Sequence, residues 1–88
     1  MSSPSEEETR VAFGRRVAEC REAAEITQQS FAEHLGAAVK WVQEVEGGRQ
    51  NVTLSSITRI ANGLGVSVSE LFETPTTGPR SPGRPRGR

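Results

Sequence analysis

Between Thr27 and Glu46 the chain carries two short amphipathic segments separated by one tight turn, a pattern that confines it to small helical folds. Thr27 has a hydroxyl suited to accept a hydrogen bond from a first-turn amide, which marks a helix start. Phe31, Ala32 and Leu35 recur at helical spacing, and Gly36 is the residue type that most readily adopts the left-handed conformation closing a helix. A helix over 28–35 is therefore expected. The next segment, Ala38 to Glu46, turns Val42 and Val45 to one side and stops at Gly47-Gly48, so a second short helix is expected there.

The flanks extend the same architecture. Ser5 and Glu8 have the spacing at which a serine and a glutamate satisfy each other's free amides in a first helical turn. Phe13, Val17, Cys20 and Ala24 then recur at intervals of four, three and four, predicting a first helix over 7–24. Thr53 can cap a fourth helix lined by Leu54, Ile57, Ile60, Ala61 and Leu64. Ser67 and Glu70 repeat the capping spacing before Leu71-Phe72, giving a fifth helix and no strand. The expectation is an all-α, compact five-helix domain over 7–73. Residues 1–6 are expected to be disordered. So are residues 74–88, almost entirely Pro, Gly, Thr, Ser and Arg, because they offer nothing to bury against the entropy of ordering. A chain of 88 residues holds one such domain and no second.

Composition excludes several classes. With one cysteine, Cys20, and one histidine, His34, the chain has neither a disulfide pair nor a soft ligand set for a structural metal, and no cofactor motif is present. Cys20 reads as a small core residue and His34 as a surface residue. No apolar run reaches the length of a membrane span, and the N-terminus is acidic where a secretory signal is basic, so a cytoplasmic protein with no membrane partner is expected. There is no aspartate, and no nucleophile with its base, paired carboxylates or phosphate loop, so an enzyme is not expected. Net charge is zero but unevenly spread. Residues 1–10 carry Glu6, Glu7 and Glu8 against Arg10, a net of −2. Residues 11–73 carry six Lys/Arg against eight Glu, again −2, and residues 74–88 carry Arg80, Arg84, Arg86 and Arg88, a net of +4. A core that binds nucleic acid must then use locally placed charges rather than a bulk field.

Two helices joined by a short glycine-containing turn can lay the second of them in the major groove of DNA. Periodicity alone leaves other small bundles open. The stretches Thr27-Gln28-Gln29-Ser30-Phe31-Ala32-Glu33-His34-Leu35-Gly36, Trp41-Val42-Gln43-Glu44-Val45-Glu46-Gly47-Gly48-Arg49, Ile60-Ala61-Asn62-Gly63-Leu64-Gly65-Val66 and Glu70-Leu71-Phe72 are more specific. Together they resemble the Cro/phage-repressor-type (Xre) helix-turn-helix family, from about Phe13 to Phe72. The resemblance implies a lambda-repressor-like fold and a sequence-specific transcription regulator acting on double-stranded DNA, with 38–46 as recognition helix. It implies DNA contact by Thr27 and Gln28 at the start of the second helix, where Gln28 matches the family's phosphate-contacting glutamine and free amides also favour an anion. Ala38, Val39, Lys40, Gln43 and Glu44 fall at the family's DNA-facing positions. Lysine can donate to guanine, glutamine can pair with adenine, glutamate can accept from cytosine and valine can touch a thymine methyl. Arg49 and Asn51 lie where the family's loop nears the phosphates, and an ion pair between Arg21 and Glu46 is implied.

Two positions depart from the family pattern. Trp41 replaces what is more often a small polar residue and is expected to be partly packed with its ring edge near DNA. Glu25 replaces the usual glycine after the first helix, which strains that turn. Residues 49–54 and the helix after them also resemble the small controller proteins of restriction-modification systems. Pro82-Gly83-Arg84-Pro85-Arg86-Gly87-Arg88 resembles an AT-hook, in which Arg84, Arg86 and Arg88 enter a narrow minor groove; a sequence-independent phosphate anchor is the other reading. A homodimer would read two half-sites about 34 Å apart. The alternative function is a protein-interaction module or antitoxin that uses the same fold for a protein partner.

Overall fold

The computed structural model describes residues 4–76. Helix α1 spans Glu6–Ala23, α2 Gln28–Leu35, α3 Val39–Glu46 and α4 Leu54–Leu64, with one 3-10 turn over Ser69–Phe72 after them; the described residues contain no strand. The expected tail contacts of Arg84, Arg86 and Arg88 lie outside the described residues.

α1 starts where Ser5 Oγ accepts from the Glu8 amide at 3.0 Å and Glu8 Oε1 accepts from the Ser5 amide at 2.9 Å. That reciprocal cap sets the first helical residue at Glu6 rather than Glu7. The helix ends at Ala23, and Ala24, expected on its inner face, is an exposed C-cap. Its buried residues are Phe13, Gly14, Val17, Ala18 and Arg21, a wider face than the expected stripe because α3 covers one side and the 3-10 turn the other. Cys20 is half-buried against the core. Fully buried Val17, Phe31, Val42, Ile60 and Leu71 come one from each element, so the core closes only when all five are in place.

The segment expected as a fifth helix forms a single 3-10 turn. Its capping box is made, with the Glu70 amide donating to Ser67 Oγ at 3.2 Å and the Ser67 amide to Glu70 Oε1 at 3.0 Å. Glu73 is already extended, and Pro75 disfavours helical conformation in the residue before it, so the chain cannot make a second turn. Tertiary contacts hold the turn instead. Leu71 is fully buried, the rings of Phe72 and Phe13 lie 5.1 Å apart, and Arg16 Nε donates to the Glu70 carbonyl at 2.8 Å. The same guanidinium pairs with Glu19 at 2.9 Å and Glu73 at 3.6 Å.

Glu25, between α1 and α2, sits at φ +60°, in the left-handed region. A side chain there costs about 1–2 kcal/mol. Glu25→Gly is therefore expected to raise stability by about 1 kcal/mol, or Tm by about 5 °C. Thermal unfolding followed by circular dichroism checks this, and an unchanged or lower Tm would show that the turn stores no strain.

Candidate nucleic-acid interface

The two central helices are held by their ends. Thr27 is extended and its hydroxyl accepts from the Ser30 amide at 3.0 Å, which starts α2 at Gln28. Gly36, at φ +72°, closes α2 in the left-handed conformation, and the Arg59 guanidinium of α4 donates to the Leu35 carbonyl that the helix leaves free. α3 begins at Val39, one residue later than expected. Ala38 is its N-cap with φ −77° and ψ 147°, and an alanine has no side-chain oxygen to signal or satisfy the start.

Glu46, the last residue of α3, is the hub. Arg21 Nε donates to its Oε2 at 2.6 Å and Arg21 Nη2 to its Oε1 at 3.1 Å, while Gln28 Nε2 donates to Oε1 at 2.9 Å. Arg21 Nη1 donates to the Ile26 carbonyl at 2.7 Å. One carboxylate thus fastens the end of α1, the start of α2 and the end of α3, and the guanidinium also ties down the intervening turn. The side chains of Arg21 and Glu46 are only 11% and 8% exposed. In that setting the hydrogen bond to Glu46 pushes the Arg21 guanidinium further above its ordinary pKa against the opposing effect of burial.

With Val42 and Val45 buried, α3 turns Val39, Lys40 and Gln43 outward, all exposed, and Glu44 beside them is half-buried. Trp41 is half-buried against the core and walls a groove of about 440 Å³ with Leu35, Ala37, Ala38, Ser56, Arg59 and Ile60. Arg49 is exposed and folds over Gly47, where an added Cβ would lie 2.4 Å from Arg49 Nη1. Asn51 is exposed in the loop before α4. Gly48 is buried at φ +76°, and the close approach it permits is to Val11 of α1, 2.8 Å from an added Cβ. Thr27, Val39, Lys40, Gln43 and Arg49 are thus exposed on or beside the helix pair, with Gln28 already engaged by Glu46.

Three residues with structural roles at this surface are not apparent from the sequence patterns above. Gln50 donates to Glu44 at 2.8 Å, and Arg59 caps α2; neither spacing has a helical or motif signature. Gly14 does carry a signal, since a glycine inside a helical pattern marks close packing. An added Cβ there would lie 2.2 Å from the Val45 carbonyl, so α1 and α3 touch backbone to backbone.

A family model described as a helix-turn-helix domain matches residues 12–73. The control protein C.MunI of Mycoplasma sp is 33% identical over 64 residues, 72% of this chain and 86% of that protein. The restriction-modification controller protein C.AhdI of Aeromonas hydrophila superposes with a TM-score of 0.68 at 37% identity, covering 70% of this chain and 94% of that one. Hydroxypropylphosphonic acid epoxidase of S. wedmorenis contains the same fold, with a TM-score of 0.70 at 27% identity, but 74% of this chain covers 35% of that enzyme. Among the described residues no helix is long and apolar enough to cross a membrane. The chain belongs to the Xre type of the helix-turn-helix family and is a DNA-binding transcription regulator.

Proposed function

We propose that the protein regulates transcription in the manner of a restriction-modification controller, as a homodimer in the cytoplasm, with α3 in the major groove of each half-site. The observation that carries this reading is the outward face of α3. Val39, Lys40 and Gln43 are exposed on a helix whose last residue is fixed by Arg21 and Gln28, so side chains with base-reading chemistry stand on a rigid support. Thr27, Gln28, Arg49 and Asn51 contact the backbone phosphates around it, and Trp41 lies between core and sugar-phosphate. The controller C.AhdI is matched over 94% of its length and the epoxidase over 35%, which supports a regulator rather than an enzyme.

On this reading residues 7–73 are the DNA-binding domain and 74–88 a basic extension. The extension offsets a domain that carries more Glu than Lys and Arg. Its four arginines would neutralise up to four phosphates, worth about 3.6 in the salt slope. The test is a titration of the full chain against a duplex from its own upstream region and a scrambled duplex over a range of salt. Tighter binding to the first is expected, with Lys40→Ala weakening it about tenfold and removal of residues 74–88 flattening the salt slope. Equal affinity for both duplexes overturns the sequence-specific reading, and absence of binding to either favours the protein-interaction alternative.

A further inference from the structure

Glu44 is the one acidic side chain on the outward face of α3, and its carboxylate is already held. Gln50, in the loop after α3, donates from Nε2 to Glu44 Oε1 at 2.8 Å. Both residues are half-buried, whereas Lys40 and Gln43 on the same face are exposed. A carboxylate directed at DNA is repelled by every phosphate, so it weakens binding to any duplex in which it meets no donor. The donors on base edges in the major groove are the amino groups of cytosine and adenine. Adenine sets its N7 acceptor beside the amino group, and that lone pair repels a carboxylate. In the base pair cytosine N4 has an acceptor on one flank only, the O6 of its guanine, and C5–H on the other, whereas adenine N6 lies between N7 and thymine O4; guanine and thymine present acceptors of their own.

We infer that Glu44 reads a cytosine in each half-site and that Gln50 is its positioning residue, holding one carboxylate oxygen so that Oε2 meets the N4 amino group. This rests on the DNA-binding reading above and deepens it by naming a base and the pair of residues that selects it. The device trades affinity for discrimination: the same negative charge that accepts from cytosine penalises every site without it. Gln50 removes the rotational freedom that would let Glu44 swing away from a wrong base, and it leaves the carboxylate charged.

The experiment selects duplexes from a pool with a random core, using the full chain and its Glu44→Ala, Glu44→Gln, Gln50→Ala and Glu44→Ala/Gln50→Ala variants. Binding is then measured to the selected duplex and its three single base-pair variants at the position that changes. The parent is expected to prefer cytosine there by about 10- to 100-fold. Glu44→Ala should bind all four within about threefold and hold scrambled DNA more tightly than the parent, and Glu44→Gln should move the preference to adenine. Gln50→Ala should keep the parent Tm, lose part of the cytosine preference, and add nothing when Glu44 is already alanine. A Glu44→Ala variant that keeps the parent's preferences overturns the inference. A Gln50→Ala effect that persists without Glu44 overturns the positioning role. If the parent itself selects no sequence, the regulator reading falls first, so the two failures are distinguishable.

Discussion

Glu46→Ala is expected to cost about 3 kcal/mol of folding stability, and Arg21→Ala a similar amount, because each takes from a desolvated charge its hydrogen-bonded partner, leaving Arg21 only the more exposed Glu22 at 3.7 Å. The side chains are 11% and 8% exposed, and removing Glu46 strands three donors at once, two from Arg21 and one from Gln28. For a domain of this size the loss corresponds to a fall in Tm of about 15 °C. Glu46→Gln keeps an acceptor but not the charge, and should fall between the parent and Glu46→Ala. The pair Arg21→Met/Glu46→Leu separates stability from orientation. Apolar replacement of a buried ion pair is often neutral, so the double variant should lie within about 1 kcal/mol of the parent. It should nevertheless bind its selected duplex more weakly, because the end of α3 then loses its hydrogen-bonded link to α1 and α2 and keeps only the apolar packing. Urea unfolding and duplex titration of the same samples check both arms. A fall in Tm of less than about 3 °C for Glu46→Ala would show that the pair is as solvated as an ordinary surface bridge.

Gly14→Ala is the second large effect. An alanine gains about 1 kcal/mol in helix propensity over glycine, and in an exposed helix that would decide the sign. Here the new methyl would lie 2.2 Å from the Val45 carbonyl and 2.9 Å from that of Glu46, both backbone atoms of α3 that cannot rotate away. The helices must separate, and every contact between α1 and α3 loosens with them. A net loss of about 2–3 kcal/mol is expected, with Gly14→Val worse still. Chemical denaturation measures it, and a variant as stable as the parent would mean that the two helices slide apart at no cost.

The elements legible in the sequence are those set by residues whose local chemistry acts alone. Thr27, Gly36 and Thr53 set the limits of α2 and the start of α4 because a hydroxyl cap or a left-handed glycine works without distant partners. The start of α3 lies one residue beyond its expected place because Ala38 caps without a side chain. The final segment has a complete capping box and still makes only one turn. Glu73 after it is extended, and the anchors of the turn, Arg16, Phe13 and the core around Leu71, are remote in sequence. At the interface the outward residues of α3 came from the family resemblance, helical phase having placed only Val42 and Val45 on the inner side. The hydrogen bond from Gln50 to Glu44 did not, because it depends on the path of the loop after Gly48.

The clamp at Glu46 divides α3 into two sides with separate obligations. Val42, Val45 and Glu46 answer to the fold, while Val39, Lys40 and Gln43 project from it. If those three positions read DNA as proposed, a lineage can rewrite them, and with them the operator it serves, while the scaffold stays thermodynamically indifferent. Retargeting by design should start at the same three sites and treat Glu44 with Gln50 as one exchangeable cassette.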